Sequence, residues 1–437
     1  MKRKLITKLL EWKESNTKKP LLLLGALGVG KTFLAYDFAK TFFTESIYIN
    51  IEREPDFFSL VNKGSDKMDD VLKEHYHVTD DSGDVLIILD EVHSCPNIKL
   101  ILNELSNSKF SLSILILSSI WDETIYSCDY FKKLFLYPLD FEEFLVAVGK
   151  EWYIEVITFH YNSNKKIPDI VHQELLALFE LYLQIGGMPQ AVNEYINMES
   201  TINVPEQHKI LTYSYLTHVN KSSSDSNALK INQVFDVLDK QLMKENKKFQ
   251  YTLIRKGATG AMYSDALHYI NNSFYGIRCK KLEDNLIHQY NLKNDELNNE
   301  SAIENHFSYE DDNKAIFKQY ILDIGMLNSS MKTQNDYTSD NARKGLLENY
   351  IALCLLVKGY PLYFWESSSQ AKIDFIISKD NHLIPIEIKI NENTRSKNIS
   401  VFKTKYETVE DAIKISTKNF EYSKNIKYVP IYASFCI

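Results

Sequence analysis

The octapeptide Gly25-Ala-Leu-Gly-Val-Gly-Lys-Thr32 sets three glycines ahead of a lysine and a hydroxyl side chain. That is the spacing of a phosphate-binding loop, and it lies between a leucine run and the helix-forming stretch TFLAYDFAKTFF, as such a loop requires. Gly25, Gly28 and Gly30 let the backbone curl until its N–H groups face phosphates, and the helix N-terminus adds its dipole. Lys31 is then expected to reach the β and γ phosphates of ATP, and Thr32 to hold Mg2+. The plain alternative is a glycine turn before a helix. With only 14 glycines in the chain, a chance match in this context is uncommon.

The run VLIILDE supplies the other half of such a site. A buried strand carries Asp90 to its C-terminal edge, where it is expected to bind Mg2+, and Glu91 beside it is expected to polarise water as general base. Ser118 and Ser119 end the next apolar strand. They either sense the γ-phosphate or are ordinary strand-to-loop hydroxyls. Arg53 and Arg255 are the arginines nearest to plausible elements, and neither identifies itself as a finger that stabilises phosphoryl-transfer charge.

A second constellation lies in IDFIISKDNHLIPIEIKI, residues 373–390. A two-residue turn at Asp380-Asn381 joins two strands and places Asp374 opposite Glu387. Period-2 alternation puts Glu387 and Lys389 on one face and Ile386, Ile388 and Ile390 on the other. Facing carboxylates are unfavourable unless a cation sits between them. One reading is a magnesium-dependent phosphodiesterase in which Asp374 and Glu387 hold the metal and Lys389 steadies the attacking water or the phosphate. Glu348, on the helix beginning GLLENY, adds a further carboxylate. The other reading is an amphipathic hairpin with a wet charged face.

The elements that must position these groups follow from pattern. LLLL (21–24), SIYINI (46–51), VLIIL (85–89) and SILIL (113–117) are unbroken apolar runs, which suits strands covered on both faces of a parallel sheet. Helix-capable stretches alternate with them, giving a doubly wound α/β core over residues 1–145. DFEEFLVAV and QELLALFELYLQI have helical periodicity, broken by GGMP at Gly186 to Pro189, and read as a helical lid over 146–200. Residues 201–281 are mostly helical and end in strand-like FYGIRC, a pattern compatible with a winged helix. Residues 282–314 are rich in Asn, Asp and Glu and read as an acidic linker. A second α/β domain then spans 315–437.

At 437 residues the chain is too long for one ordinary core, and 44% hydrophobic residues suffice for two or three. A net charge of -8 argues against coating nucleic acid by bulk electrostatics, though the C-terminal part carries more basic than acidic residues. The five cysteines are scattered and show no zinc or redox spacing. No apolar run approaches the roughly 18 residues of a membrane span. The expectation is a cytoplasmic protein with no membrane partner.

Taken in order, the phosphate loop, ILDEVH, YPLDFEEFL, IGGMPQAV, KENKKFQYTLIRKGATG, FKQYILDIGML, and GLLENY with the IDF and IEIK strands resemble one family. It comprises the prokaryotic and archaeal-type AAA-like (STAND-related) ATPases fused to a C-terminal PD-(D/E)XK nuclease-like domain. The resemblance covers nearly the whole chain. It implies a winged helix between the lid and a restriction-endonuclease-like α/β domain, with Gly187 and Pro189 in the lid motif. It also implies that Glu348, Asp374, Glu387 and Lys389 match the nuclease-like signature. Two departures stand out. Lys372 occupies a position where many relatives carry an acid, and the strand ending in Ser118-Ser119 lacks the arginine of many related ATPases.

The expected activity is that of an ATPase, with ATP and Mg2+ as cofactors, whose nucleotide state controls a nuclease-like, DNA-binding module. The alternatives are an ATP-dependent regulatory or scaffold protein with an inactive nuclease-like domain, or a sensor that binds another protein through the winged helix. ATPases of this class often form homo-oligomers, but no interface is legible in the sequence.

Overall fold

The computed structural model describes residues 1–15, 19–54, 66–79, 84–95, 98–126, 130–222, 224–284, 287, 316–368, 371–379 and 382–437. Two compact units emerge: Met1–Tyr137 with Asn272–Phe274, and Pro138–Asn271 with Tyr275–Ile437.

The first unit is built on five strands, β1 (Leu21–Leu24), β2 (Glu45–Asn50), β3 (Val85–Asp90), β4 (Leu112–Ser118) and β5 (Lys132–Phe135). They form one sheet in the order β2-β3-β4-β1-β5, every pair parallel. β1 and β3 are buried along their whole length, as unbroken apolar runs demand when helices cover both faces. Leu21, Leu23, Leu86, Ile88, Leu115 and Leu117 pack on one side against Leu34, Phe38 and Trp12. Each such side chain contributes roughly 1.5–3 kcal/mol by leaving water. Because β4 lies between β1 and β3, the chain ends of these strands open a crevice at the point where strand order reverses.

The second unit carries an eight-stranded sheet. β6 (Gly276–Lys281), β7 (Phe317–Ile321), β8 (Tyr363–Glu366), β9 (Lys372–Lys379), β10 (His382–Ile388), β11 (Ala412–Ser416), β12 (Glu421–Ser423) and β13 (Ile426–Pro430) take the order β12-β13-β11-β10-β9-β8-β6-β7. The helix Asp340–Val357 is buried from Gly345 through Leu356, consistent with a sequence that is apolar almost all round. It passes the helix Leu238–Leu242 at Gly345, where a Cβ would stand 2.1 Å from the Leu242 carbonyl oxygen.

The first unit closes at Tyr137, and Leu139 bonds within the second: its N–H donates to Gly187 O at 2.7 Å, and its carbonyl accepts the Tyr182 hydroxyl at 2.8 Å. The segments read as lid, winged helix and C-terminal domain lie within the second compact unit. FYGIRC contributes β6, which pairs antiparallel with β7 and parallel with β8 in the C-terminal sheet. The linker lies mostly outside the described residues. Its first part is anchored, with Leu282 and Ile287 in a core cluster beside Trp365 and Phe402. Among the described residues no single helix is long and apolar enough to cross a membrane.

Candidate functional site: a phosphate loop and a lysine-rich carboxylate cluster

The phosphate loop leaves β1 at Gly25, whose N–H donates to Ser118 O at 3.3 Å. A Cβ at Gly25 would meet the Leu136 carbonyl oxygen at 2.3 Å, so only glycine lets the loop cross here. Gly30, at φ 99°, caps the helix Lys31–Phe42 in a left-handed conformation that disfavours other residues. Arg3 braces the loop from below, donating to Val29 O and Tyr137 O.

Lys31 is buried, and its ammonium donates to Gly25 O at 2.9 Å and Ala26 O at 3.1 Å. Burial pulls its pKa down, against the raising effect of Glu91 and Asp90. Thr32 Oγ1 donates to Asp90 Oδ2 at 2.8 Å. The same oxygen accepts the Tyr48 hydroxyl at 2.7 Å, and Asp90 Oδ1 accepts the Glu91 N–H at 2.9 Å. Burial pushes the Tyr48 phenol up to about 12, so it stays protonated and remains a donor. The oxygen donors of Thr32 and Asp90 suit a hard divalent cation.

Glu91 sits just past β3 with φ 53°, left-handed for a residue with a side chain. Its Oε2 accepts Ser119 Oγ at 2.8 Å and lies 3.3 Å from His93 Nδ1. Burial raises its pKa, but His93, Lys31 and Ser119 outweigh that and hold the carboxyl at about 2. Ser118 behaves differently: its hydroxyl donates to Ile120 O at 2.8 Å, within its own loop. Lys31, Thr32, Asp90, Glu91 and Ser119 are thus brought together, while Ser118 contributes its backbone carbonyl.

In the second unit the hairpin pairs run from Lys379–His382 to Phe375–Ile386, the register in which Asp374 comes next to face Glu387. The turn at Asp380-Asn381 lies outside the described residues. The hairpin's charged face is not wet: Glu348, Asp374 and Glu387 are all at most 5% exposed. Lysines, rather than a shared proton, meet them. Lys318 lies 3.0 Å from Glu348 Oε2, which also accepts the Tyr320 hydroxyl at 2.9 Å. Lys344 reaches Asp374 Oδ1 at 3.0 Å and Oδ2 at 3.1 Å, and the Ile388 N–H donates to Oδ2 at 2.7 Å.

Glu387 is equally enclosed. Its Oε1 lies 3.0 Å from Lys389 and accepts Asn398 at 2.8 Å; its Oε2 accepts Ser396 at 2.5 Å and lies 3.5 Å from Lys414. Burial pushes Glu387 up, but Ser396 and Lys389 outweigh it and hold its pKa down. For Glu348 burial is likewise outweighed, by Lys318, Lys344 and Lys247, leaving the carboxyl at about 2. Glu348 and Asp374 line a cavity of about 210 Å³ with Lys247, Lys318, Lys344 and Lys372.

What sets this cluster apart from the Thr32–Asp90 pair is charge: Lys344 meets Asp374, and Lys389 and Lys414 meet Glu387. The cation that facing carboxylates require is supplied by lysine ammonium groups.

Sequence reasoning missed Tyr48, which β2 places two residues before Asn50, the register partner of Asp90. It gave no role to His93, although ILDEVH contains it. Lys318, Lys344 and Lys414 were also missed, since they come from three separate elements. Only the i, i+4 spacing of Lys344 and Glu348 is a local signal.

Residues 17–145 match the AAA domain family. The chain therefore carries an AAA-type, P-loop nucleotide-binding domain, and its five-stranded parallel sheet is the core such a domain requires. Residues 176–296 match a domain of unknown function (DUF8612), and residues 343–433 match another (DUF4143). No curated protein matches the sequence. A solved structure of C. elegans PCH-2 is similar at 20% identity and a TM-score of 0.22, over 33% of this chain and 41% of that one. The chain therefore spans less than half of the PCH-2 chain.

Proposed function

We propose that this chain binds and hydrolyses ATP with Mg2+ at the phosphate loop, and that its nucleotide state controls a C-terminal nuclease-like, DNA-binding module. The observation that supports the first part is the meeting of Thr32 with Asp90 beside a buried Lys31. In this reading the glycine-loop N–H groups and Lys31 bind the phosphates, and Thr32 and Asp90 hold the metal. Bound Mg2+ supplies charge neutralisation at the transferred phosphoryl group. Glu91, kept ionised by its surroundings, orients and deprotonates water. A winged helix within residues 201–281 and a restriction-endonuclease-like fold for residues 315–437 belong to this proposal, as do DNA as partner and assembly into a homo-oligomer.

A second reading is favoured by the lysines. A carboxylate cluster neutralised by Lys318, Lys344, Lys389 and Lys414 suits a binding platform more than a metal-dependent phosphodiesterase, and makes the protein an ATP-dependent regulator. Incubating wild type, Lys31→Ala and Asp374→Ala with plasmid, linear duplex and single-stranded DNA separates the two. Each is tested with Mg2+ or Mn2+ and with or without ATP. Cleavage lost in Asp374→Ala with ATP hydrolysis retained establishes the nuclease. ATP turnover with no cleavage by any form establishes the regulator.

A further inference from the structure

Tyr48 lies outside the phosphate-loop pattern and outside the Asp-Glu pair, yet its hydroxyl ends on the buried aspartate at the centre of the site. Its ring packs against Tyr36, centroids 4.9 Å apart at 31°. Asn50 Nδ2 donates to the Tyr48 hydroxyl oxygen at 3.4 Å, and Asn50 Oδ1 accepts the Arg53 N–H at 3.1 Å. The phenol is therefore braced by the turn that ends β2 and by the helix that begins at Lys31. Packing alone does not account for it. A phenylalanine would fill the same half-buried place, and only the hydroxyl explains the 2.7 Å approach to Asp90 Oδ2.

We propose that Tyr48 is a positioning residue for the metal–nucleotide site, fixing the Asp90 carboxylate in the orientation that divalent-cation binding needs. The inference rests on Thr32 and Asp90 being the pair that holds the metal. A carboxylate offers about four lone-pair positions, and here three are committed: two on Oδ2, to Thr32 and Tyr48, and one on Oδ1, to the Glu91 N–H. The donors come from three places: the helix after the loop, the neighbouring strand, and the backbone of Glu91. Together they remove rotation about the Asp90 Cβ–Cγ bond. Without the Tyr48 hydroxyl, Thr32 alone holds Oδ2, and Thr32 is itself needed by the metal. Partners that orient a metal-holding side chain in this way typically change metal affinity about 10–100-fold when removed.

The test is binding rather than turnover. A fluorescent, non-hydrolysed ATP analogue is titrated into full-length wild type, Tyr48→Phe and Tyr36→Ala at fixed Mg2+ concentrations from zero upward. Melting temperature is measured without nucleotide. Tyr48→Phe is expected to raise the half-saturating Mg2+ concentration about tenfold, with Mg2+-free binding unchanged. Tyr36→Ala alters an exposed ring and leaves the hydroxyl in place. It is expected to shift the Mg2+ requirement in the same direction by less, and it carries the test if Tyr48→Phe fails to fold. A Mg2+ requirement within twofold of wild type in every folded variant overturns the inference and leaves the ATP-binding reading intact. So does an equal loss of Mg2+-free binding in Tyr48→Phe. A wild type that binds nucleotide with no Mg2+ dependence overturns both.

Discussion

Thr32 and Asp90, 58 residues apart in the chain, meet through a 2.8 Å hydrogen bond from hydroxyl to carboxylate. Asp90 ends β3, and Thr32 lies on the helix that follows β1; the two strands are not neighbours, with β4 between. Asp90 also takes Tyr48 and the Glu91 N–H, so three donors hold the carboxylate that faces the loop.

Glu91 is the first residue to test for chemistry as distinct from binding. Glu91→Gln removes the base while keeping the acceptor for Ser119. It is expected to lower kcat about 10²–10⁴-fold while ATP still binds. Ser119→Ala removes one donor to Glu91 Oε2 and is expected to lower kcat with little change in KM. Steady-state kinetics beside equilibrium ATP binding check both, and full turnover by Glu91→Gln would remove Glu91 from the reaction.

The IGGMPQAV and ILDIGML motifs are locked together in the second unit. Asp323 accepts the Gly187 N–H at 2.7 Å and the Met326 N–H at 2.9 Å, and a Cβ at Gly186, φ 76°, would meet Asp323 Oδ1 at 2.4 Å. Asp323→Ala leaves buried N–H groups without an acceptor and is expected to cost about 1–3 kcal/mol or more. Gly186→Ala adds a clash to a strained backbone. Urea unfolding measures both, and a midpoint unchanged in Asp323→Ala would show that the lock contributes nothing.

Acid should weaken the second unit through Glu348. Its folded pKa of about 2 lies below the ordinary 4.5, so its contribution is complete above pH 4.5 and is lost as pH falls toward 2. Glu348→Gln is expected to lower stability at neutral pH and to flatten the loss between pH 4.5 and 2. Denaturant unfolding across that range is the measurement, and identical acid profiles for the two proteins would count against it.

Much of the first unit was legible because it is locally written. β1 to β4 are unbroken apolar runs, and the phosphate loop is a contiguous spacing whose glycines have steric reasons at Gly25 and Gly30. β5 escaped notice because it is four residues long and begins with two lysines, Lys132 and Lys133. The hairpin register was readable because a short turn fixes strand pairing. What surrounds Asp374 and Glu387 was not, because Lys344, Lys414 and Ser396 arrive from a helix, a neighbouring strand and a loop. β6 pairs with β7 across residues 282–314, and no periodicity reports a partner that distant. Tyr48 stayed hidden among the apolar residues of β2, since a tyrosine there packs as readily as it donates.

ATP hydrolysis by the purified chain with Mg2+, comparing wild type with Lys31→Ala and Glu91→Gln, tests the central claim most directly. The account predicts turnover by wild type, loss of both binding and turnover in Lys31→Ala, and binding without turnover in Glu91→Gln. Equal phosphate release by all three, or no nucleotide binding by wild type, would contradict it.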